Sequence, residues 1–193
     1  AGGHFYSSDG LTMYYNFSHF LATGSFAVTI DDGNRGVLSA ARYPAVGTRL
    51  WYGLGHQLLG FPLYLLAFGF ENEAWRWLVI SLQGAFTMTA AAWCFHRILL
   101  LLGEPAPRAT LLTACLALAT PLLCYAKHDF AEVSLVLVAL LSLFCFLTFE
   151  QNRRRRWLFL AAFWAAYGVW VKYSFLVSFG IFLGFYLVKA RRQ

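Results

Sequence analysis

The carboxylates of this chain fall where chemistry at a membrane surface would need them. Asp9 lies in His4-Phe5-Tyr6-Ser7-Ser8-Asp9-Gly10, a polar turn flanked by aromatics. Asp129 and Glu132 lie in Tyr125-Ala126-Lys127-His128-Asp129-Phe130-Ala131-Glu132, between two apolar runs. A carboxylate so placed can act as general base on an acceptor hydroxyl or amine. It can also hold a divalent cation or orient a substrate amine, and Asp9 with Glu132 are the residues a metal would use. Both loops serve helix starts equally well. Ser8 or Asp9 suits an N-cap, and Asp129 with Glu132 three residues on resembles a capping box. The two roles are compatible, because a cap also orients the carboxylate.

The second constellation is cationic. Lys127, His128 and Lys172 stand at the ends of apolar runs. An ammonium at that depth suits a lipid phosphate, for which lysine is a point-charge partner; the same residues also suit snorkelling to the headgroups. His56 and Gln57 interrupt another apolar stretch and read first as hydrogen-bonded residues of a bundle. Asp31-Asp32-Gly33-Asn34 has the chemistry of a turn. Cys94, Cys115, Cys124 and Cys145 all lie inside apolar runs and show neither a disulfide framework nor metal spacing.

The elements that must position these groups are apolar helices. The 193 residues are 60% hydrophobic and only 12% charged, with a mean hydropathy of +0.58. A soluble domain carries about 25% charge, so the fold class is an all-α polytopic membrane protein. The net charge of +6 comes in short clusters between apolar runs, which is how membrane proteins set orientation, and it points to no nucleic-acid partner. Residues 1–76 read as a first outer loop with amphipathic and juxtamembrane helices, and residues 77–193 as one transmembrane bundle. In the loop, Met13, Phe17, Phe20 and Leu21 share one helical face, as a helix lying in the interface requires. Residues 50–70 are apolar, but Gly53, Gly55, Gly60 and Pro62 predict a broken or re-entrant segment. Five charge-free spans follow, at residues 77–95, 109–126, 133–149, 157–171 and 173–188. With residues 50–70 not crossing, one side receives Arg97, Arg108, Arg153 to Arg156, Lys189, Arg191 and Arg192. That side is then cytoplasmic, and Asp9, Asp129, Glu132, Lys127 and Lys172 share the outer face. The opening Ala1-Gly2-Gly3 and the close just after a span read as a fragment of a longer protein.

In this order the motifs resemble the GT-C class of membrane glycosyltransferases, in particular the bacterial protein O-mannosyltransferases and the lipid A aminoarabinose transferases. Tyr6-Ser7-Ser8-Asp9-Gly10 is similar to the acidic motif of their first loop. Trp51-Tyr52-Gly53-Leu54-Gly55-His56-Gln57 to Pro62-Leu63-Tyr64 resembles their juxtamembrane segment. Residues 125–132 resemble the second acidic loop, and Val171-Lys172-Tyr173 the lysine-bearing hairpin near the carrier phosphate. The resemblance implies transfer of a sugar from a polyprenyl-phosphate carrier to an acceptor lipid, glycan or protein, on the outer face of a bacterial inner membrane. It implies Asp9 as catalytic base. Substrate contacts fall to Asp129, Glu132, Lys127, Lys172, His128 and Tyr6, and no certain cofactor is implied beyond a possible divalent cation. Gly10 stands where many relatives have Glu, and the Glu-Lys-Pro motif of the aminoarabinose enzymes is replaced by Arg42-Tyr43-Pro44. A transporter or flippase with His56 and Gln57 at its site, or a non-catalytic membrane subunit, are the alternative readings.

Overall fold

A computed structural model of the chain describes residues 55–127, 131–177 and 180. Among the described residues the fold is entirely helical. The helices are α1 (Gly55–Phe68), α2 (Glu73–Leu101), α3 (Ala106–Leu118), α4 (Leu122–Lys127), α5 (Ala131–Asn152) and α6 (Arg155–Val171). The amphipathic first loop and most of the stretch 178–193 lie outside the described residues. Residue 76, where the sequence predicts the change from loop to bundle, falls in the first turn of α2.

α2 and α5 form the centre. Both are long and apolar enough to cross a membrane, over Ala74–Leu101 and Ala131–Asn152. Three contacts set their relative direction. Gln83 of α2 and Ser134 of α5 both meet His56, and the Gln151 side-chain amide donates to the Leu101 carbonyl at 3.1 Å. The two helices therefore run parallel and in register over some seventeen residues. α6 returns along α5, with the Ser142 hydroxyl donating to the Ala161 carbonyl at 2.9 Å. α3 and α4 together return along α2. α1 packs antiparallel against the first third of α2 and touches α6 with its own N-terminus.

Local chemistry explains the helix limits. Asn72 caps α2, its side-chain oxygen accepting from the Ala74 amide at 2.8 Å. Gly103, with φ of +88°, makes the turn from α2 towards α3. Arg154 precedes α6 in extended conformation, its amide donating to the Asn152 side chain at 3.1 Å.

Two expectations change. The stretch 109–126 is two helices rather than one span, because Ala119, Thr120 and Pro121 interrupt it. Pro121 has no N–H to donate and disfavours helical geometry at the residue before it; Thr120 covers the break by donating to the Leu116 carbonyl at 2.6 Å. Of the segment 50–70 expected to be broken or re-entrant, Gly55–Phe68 is one continuous helix, α1, with Pro62 inside it, and Gly53 lies outside the described residues. The glycines of α1 are contact points, not breaks. A Cβ at Gly60 would stand 1.9 Å from Oε1 of Gln83. Two helices among the described residues have the length and hydropathy of a span; α6 is 17 residues long, and most of the expected span 173–188 lies outside the described residues.

The apolar residues left on the surface are large. Phe86, Trp93, Leu111, Leu118, Phe159 and Trp170 are all more than half exposed. Their exposure on α2, α3 and α6 is what a lipid-facing surface carries, and far more than a water-facing one.

Candidate functional site

The ends of the bundle differ in charge. The loops after α2 and α5 meet at the Gln151–Leu101 contact, and this end carries Arg108 and Arg153 to Arg156. Two of these cations are paired locally, Arg108 with Glu104 and Arg153 with Glu150, both at 3.3 Å. The opposite end holds Glu132 and Lys172.

Glu132 lies in the first turn of α5 and Lys172 caps the C-terminus of α6. Each charge suits its own helix end, the carboxylate at the positive pole and the ammonium at the negative one. The antiparallel packing of α5 on α6 brings them together, and Lys172 Nζ meets Glu132 Oε1 at 2.5 Å. The side chains remain 43% and 34% exposed. Screening limits such a pair to about 1 kcal/mol of stability in water. It is therefore held in place but remains open to exchange with an incoming ion.

Beside this pair runs a buried polar layer. His56, Gln57, Gln83 and Ser134 are all at most 2% exposed. His56 Nδ1 and Ser134 Oγ share a hydrogen bond of 2.8 Å. The Gln83 amide nitrogen donates to the His56 carbonyl at 2.7 Å. Gly55, at the start of α1, rests on the backbone of Trp170 and Val171, where a Cβ would come within 2.7 Å of the Val171 nitrogen. The Tyr167 hydroxyl donates to the Gly55 carbonyl at 2.7 Å and pins the same crossing. The layer thus adjoins Lys172 through Gly55, the residue before His56, and Val171, the residue before Lys172.

The layer is not fully satisfied. Both polar atoms of the Gln57 side chain, and Oε1 of Gln83, are buried and have no hydrogen-bond partner among the described residues. An unpaired buried polar group costs roughly 1–3 kcal/mol. Three such atoms on adjoining helices give this layer hydrogen-bonding capacity that the described residues leave unused.

Of the residues that the sequence singles out, the structure joins Glu132 to Lys172. Lys127 ends α4, but its side chain is outside the described residues, as are Tyr6, Asp9, His128 and Asp129. No group of three or more His, Cys, Asp or Glu suited to a metal stands together among the described residues. A cation at Glu132 would compete with the ammonium already on that carboxylate. Gln83 and Ser134 were not legible as site residues. Their signal in the sequence was slight, being only polar side chains inside apolar runs. No protein-family model, curated protein or solved structure matches the chain.

Proposed function

We propose that the chain forms part of the membrane domain of a glycosyltransferase that moves a sugar from a polyprenyl-phosphate carrier to an acceptor on the outer face of a bacterial inner membrane. The observation that carries this reading is the exchangeable Glu132–Lys172 pair at the end of the bundle away from the arginine cluster. In this reading the Lys172 ammonium neutralises a carrier phosphate, supported by its place at the C-terminal end of α6. In the reaction the acceptor oxygen bonds to the anomeric carbon, the bond from that carbon to the phosphate oxygen breaks, and polyprenyl phosphate leaves. Charge grows on the leaving oxygens, and a preorganised cation stabilises that change more than it stabilises the ground state. Asp9 takes the proton of the acceptor hydroxyl. Glu132, released from Lys172 by the phosphate, orients the acceptor, and Asp129, His128, Lys127 and Tyr6 complete the contacts.

Transfer of labelled sugar from a polyprenyl-phosphate donor, by membranes containing the full-length protein, tests the reading. Asp9→Asn should abolish transfer with donor binding retained, and Lys172→Met should raise the KM for donor at least ten-fold. Unchanged transfer in Asp9→Asn removes Asp9 from the mechanism. Absence of any transfer by the intact protein, across donors, removes the enzyme.

The buried layer favours a second reading, a transporter. Polar side chains inside a membrane bundle mark substrate pathways, and α1 and α2 would line one. In that case uptake or lipid translocation survives Asp9→Asn and is lost with Gln83→Leu.

A further inference from the structure

The arginine end of the bundle carries more positive charge than the chain balances there. Six arginines gather at it, Arg97, Arg108 and Arg153 to Arg156, against two carboxylates, Glu104 and Glu150. Arg108 and Arg153 already take those two. The remaining acids of the chain belong to the other end. Glu71, Glu73, Asp129 and Glu132 lie at the starts of α2 and α5, and Asp9, Asp31 and Asp32 precede Gly55, which joins the bundle at that end against Val171. No Asp or Glu follows Glu150.

Packing brings two of the unmatched arginines to one surface. Leu101 stands beside Gln151, so Arg97, a turn earlier in α2, is level with Leu147, a turn earlier in α5. Ser142 stands beside Ala161, so Arg156, five residues before Ala161, is level with the same Leu147, five residues after Ser142. Just inside that level an aromatic row joins the three helices. The Trp93 and Phe144 rings lie 6.4 Å apart, and the Phe144 and Trp157 rings 6.1 Å apart. Arg97 follows Trp93 by one helical turn and shares its face. The Arg156 guanidinium lies over the Trp157 ring, 5.5 Å from its centroid. Both arginines are exposed, and neither is in an ion pair among the described residues.

The apolar surface continues inward from the arginines, with Trp93 and Phe159 well exposed on α2 and α6. A water-soluble anion would meet the guanidinium groups and leave the rings uncovered. A zwitterionic lipid would cover the rings but bring a cation of its own to the arginines. A lipid with a net negative headgroup matches both parts, since arginine pairs strongly with phosphate oxygens.

We propose that this surface of α2, α5 and α6 is a binding site for an anionic phospholipid, its phosphate held at the level of Arg97 and Arg156 and its acyl chains lying over the Trp93–Phe144–Trp157 row. The site stands at the opposite end of the bundle from Glu132 and Lys172. It is therefore independent of the transfer reaction proposed above and requires only that the bundle lies in a membrane.

The test is thermal unfolding of the full-length protein in a neutral detergent, titrated with phosphatidylglycerol, with phosphatidylcholine of the same acyl chains, and with inorganic phosphate. The wild type should bind phosphatidylglycerol about ten-fold tighter than phosphatidylcholine, the scale of two arginines acting on one anionic headgroup. Inorganic phosphate at the same concentrations should leave the midpoint unmoved. A variant carrying both Arg97→Gln and Arg156→Gln should lose the preference, while Arg153, Arg154 and Arg155 remain to hold orientation. Arg76→Gln, which removes a cation from the first turn of α2 at the other end, should keep it. Equal affinity for the two lipids overturns the proposal. So does a preference that survives the double variant, and so does one that Arg76→Gln removes equally, because net charge and not this surface would then be its source. Stabilisation by inorganic phosphate equal to that by phosphatidylglycerol would replace the lipid with a free anion. The comparison of ligands on the wild type needs no variant to fold.

Discussion

At the scale of single residues, close approach matters more here than charge. Gly60 and Gly84 each hold a neighbour where a Cβ would stand, and the neighbours differ in kind. Opposite Gly60 is the far end of the Gln83 side chain, and opposite Gly84 is the backbone carbonyl of Ala126. Gly60→Ala should therefore cost less than Gly84→Ala in chemical unfolding. For Gly60→Ala about 1–3 kcal/mol is expected from displacement of Gln83, and Gln83→Ala in the same chain should recover most of it. Gly84→Ala should cost more, with no side-chain substitution restoring it, because α4 itself must move. Equal costs would mean that Gln83 does not lie across α1. The Glu132–Lys172 pair behaves in the opposite way. Being partly exposed, it should contribute about 1 kcal/mol or less to stability, so Glu132→Gln should leave the unfolding midpoint nearly unchanged. Transfer activity should nevertheless fall several-fold if Glu132 orients the acceptor. A large loss of stability with no change in activity would reduce the pair to a clamp between helix ends.

At the scale of elements, the break between α3 and α4 is the feature with most leverage. Pro121 ends the straight course of α3, and only a bent return lets Ala126 settle against Gly84 of α2. Pro121→Ala restores an N–H and removes the ring, favouring a continuous helix from α3 into α4. The expected result is looser packing of α4 on α2. Hydrogen exchange in residues 122–127 should speed up by an order of magnitude or more, while exchange in the centre of α5 stays as it was. Unchanged exchange in α4 would show that packing on α2, and not the proline, makes the bend. α1 presents the converse case. It carries a proline and two glycines yet runs unbroken, since Gly60 and Gly55 are where other elements press closest.

At the scale of the molecule, the parallel pair α2 and α5 and the returning helices give two chemically distinct ends. α2 extends past the level of Gln83 by ten residues, about 15 Å of helix. That extension and α1 form an antiparallel hairpin above the Glu132–Lys172 level. Its flanks are apolar, with Leu65, Leu66 and Trp75 more than half exposed. The hairpin carries His56 at its base, where the ring meets Ser134 of α5, so it stands over one side of the polar layer. Sidedness checks the arrangement directly. Single cysteines introduced by Tyr173→Cys and Arg156→Cys, in a background cleared of native cysteines, should react with an impermeant thiol reagent from opposite sides of intact membranes. The residue-173 site should label from the outside. Labelling of both from one side would be incompatible with α6 as a crossing helix.

Much of this architecture is written in local pattern. A charge-free apolar run makes a helix and sets its approximate length whatever it packs against, which is why α5 and α6 sit close to where hydropathy places them, whereas α2 runs past the apolar stretch 77–95 at both ends. Clustered arginines mark one end by the same local logic, and Glu132 and Lys172 stand out as charges at the edges of such runs. The meeting of those two residues, forty positions apart, depends on how α5 and α6 are rotated and offset. So does the contact of His56 with Ser134, seventy-eight positions away. One residue of slip turns a helical side chain by about 100°, and composition along the chain does not resolve a shift that small. Side-chain packing does, and it alone places Gln57 and Gln83 in a buried layer, turns helix-breaking glycines into contact points, and joins a carboxylate and an ammonium into one site.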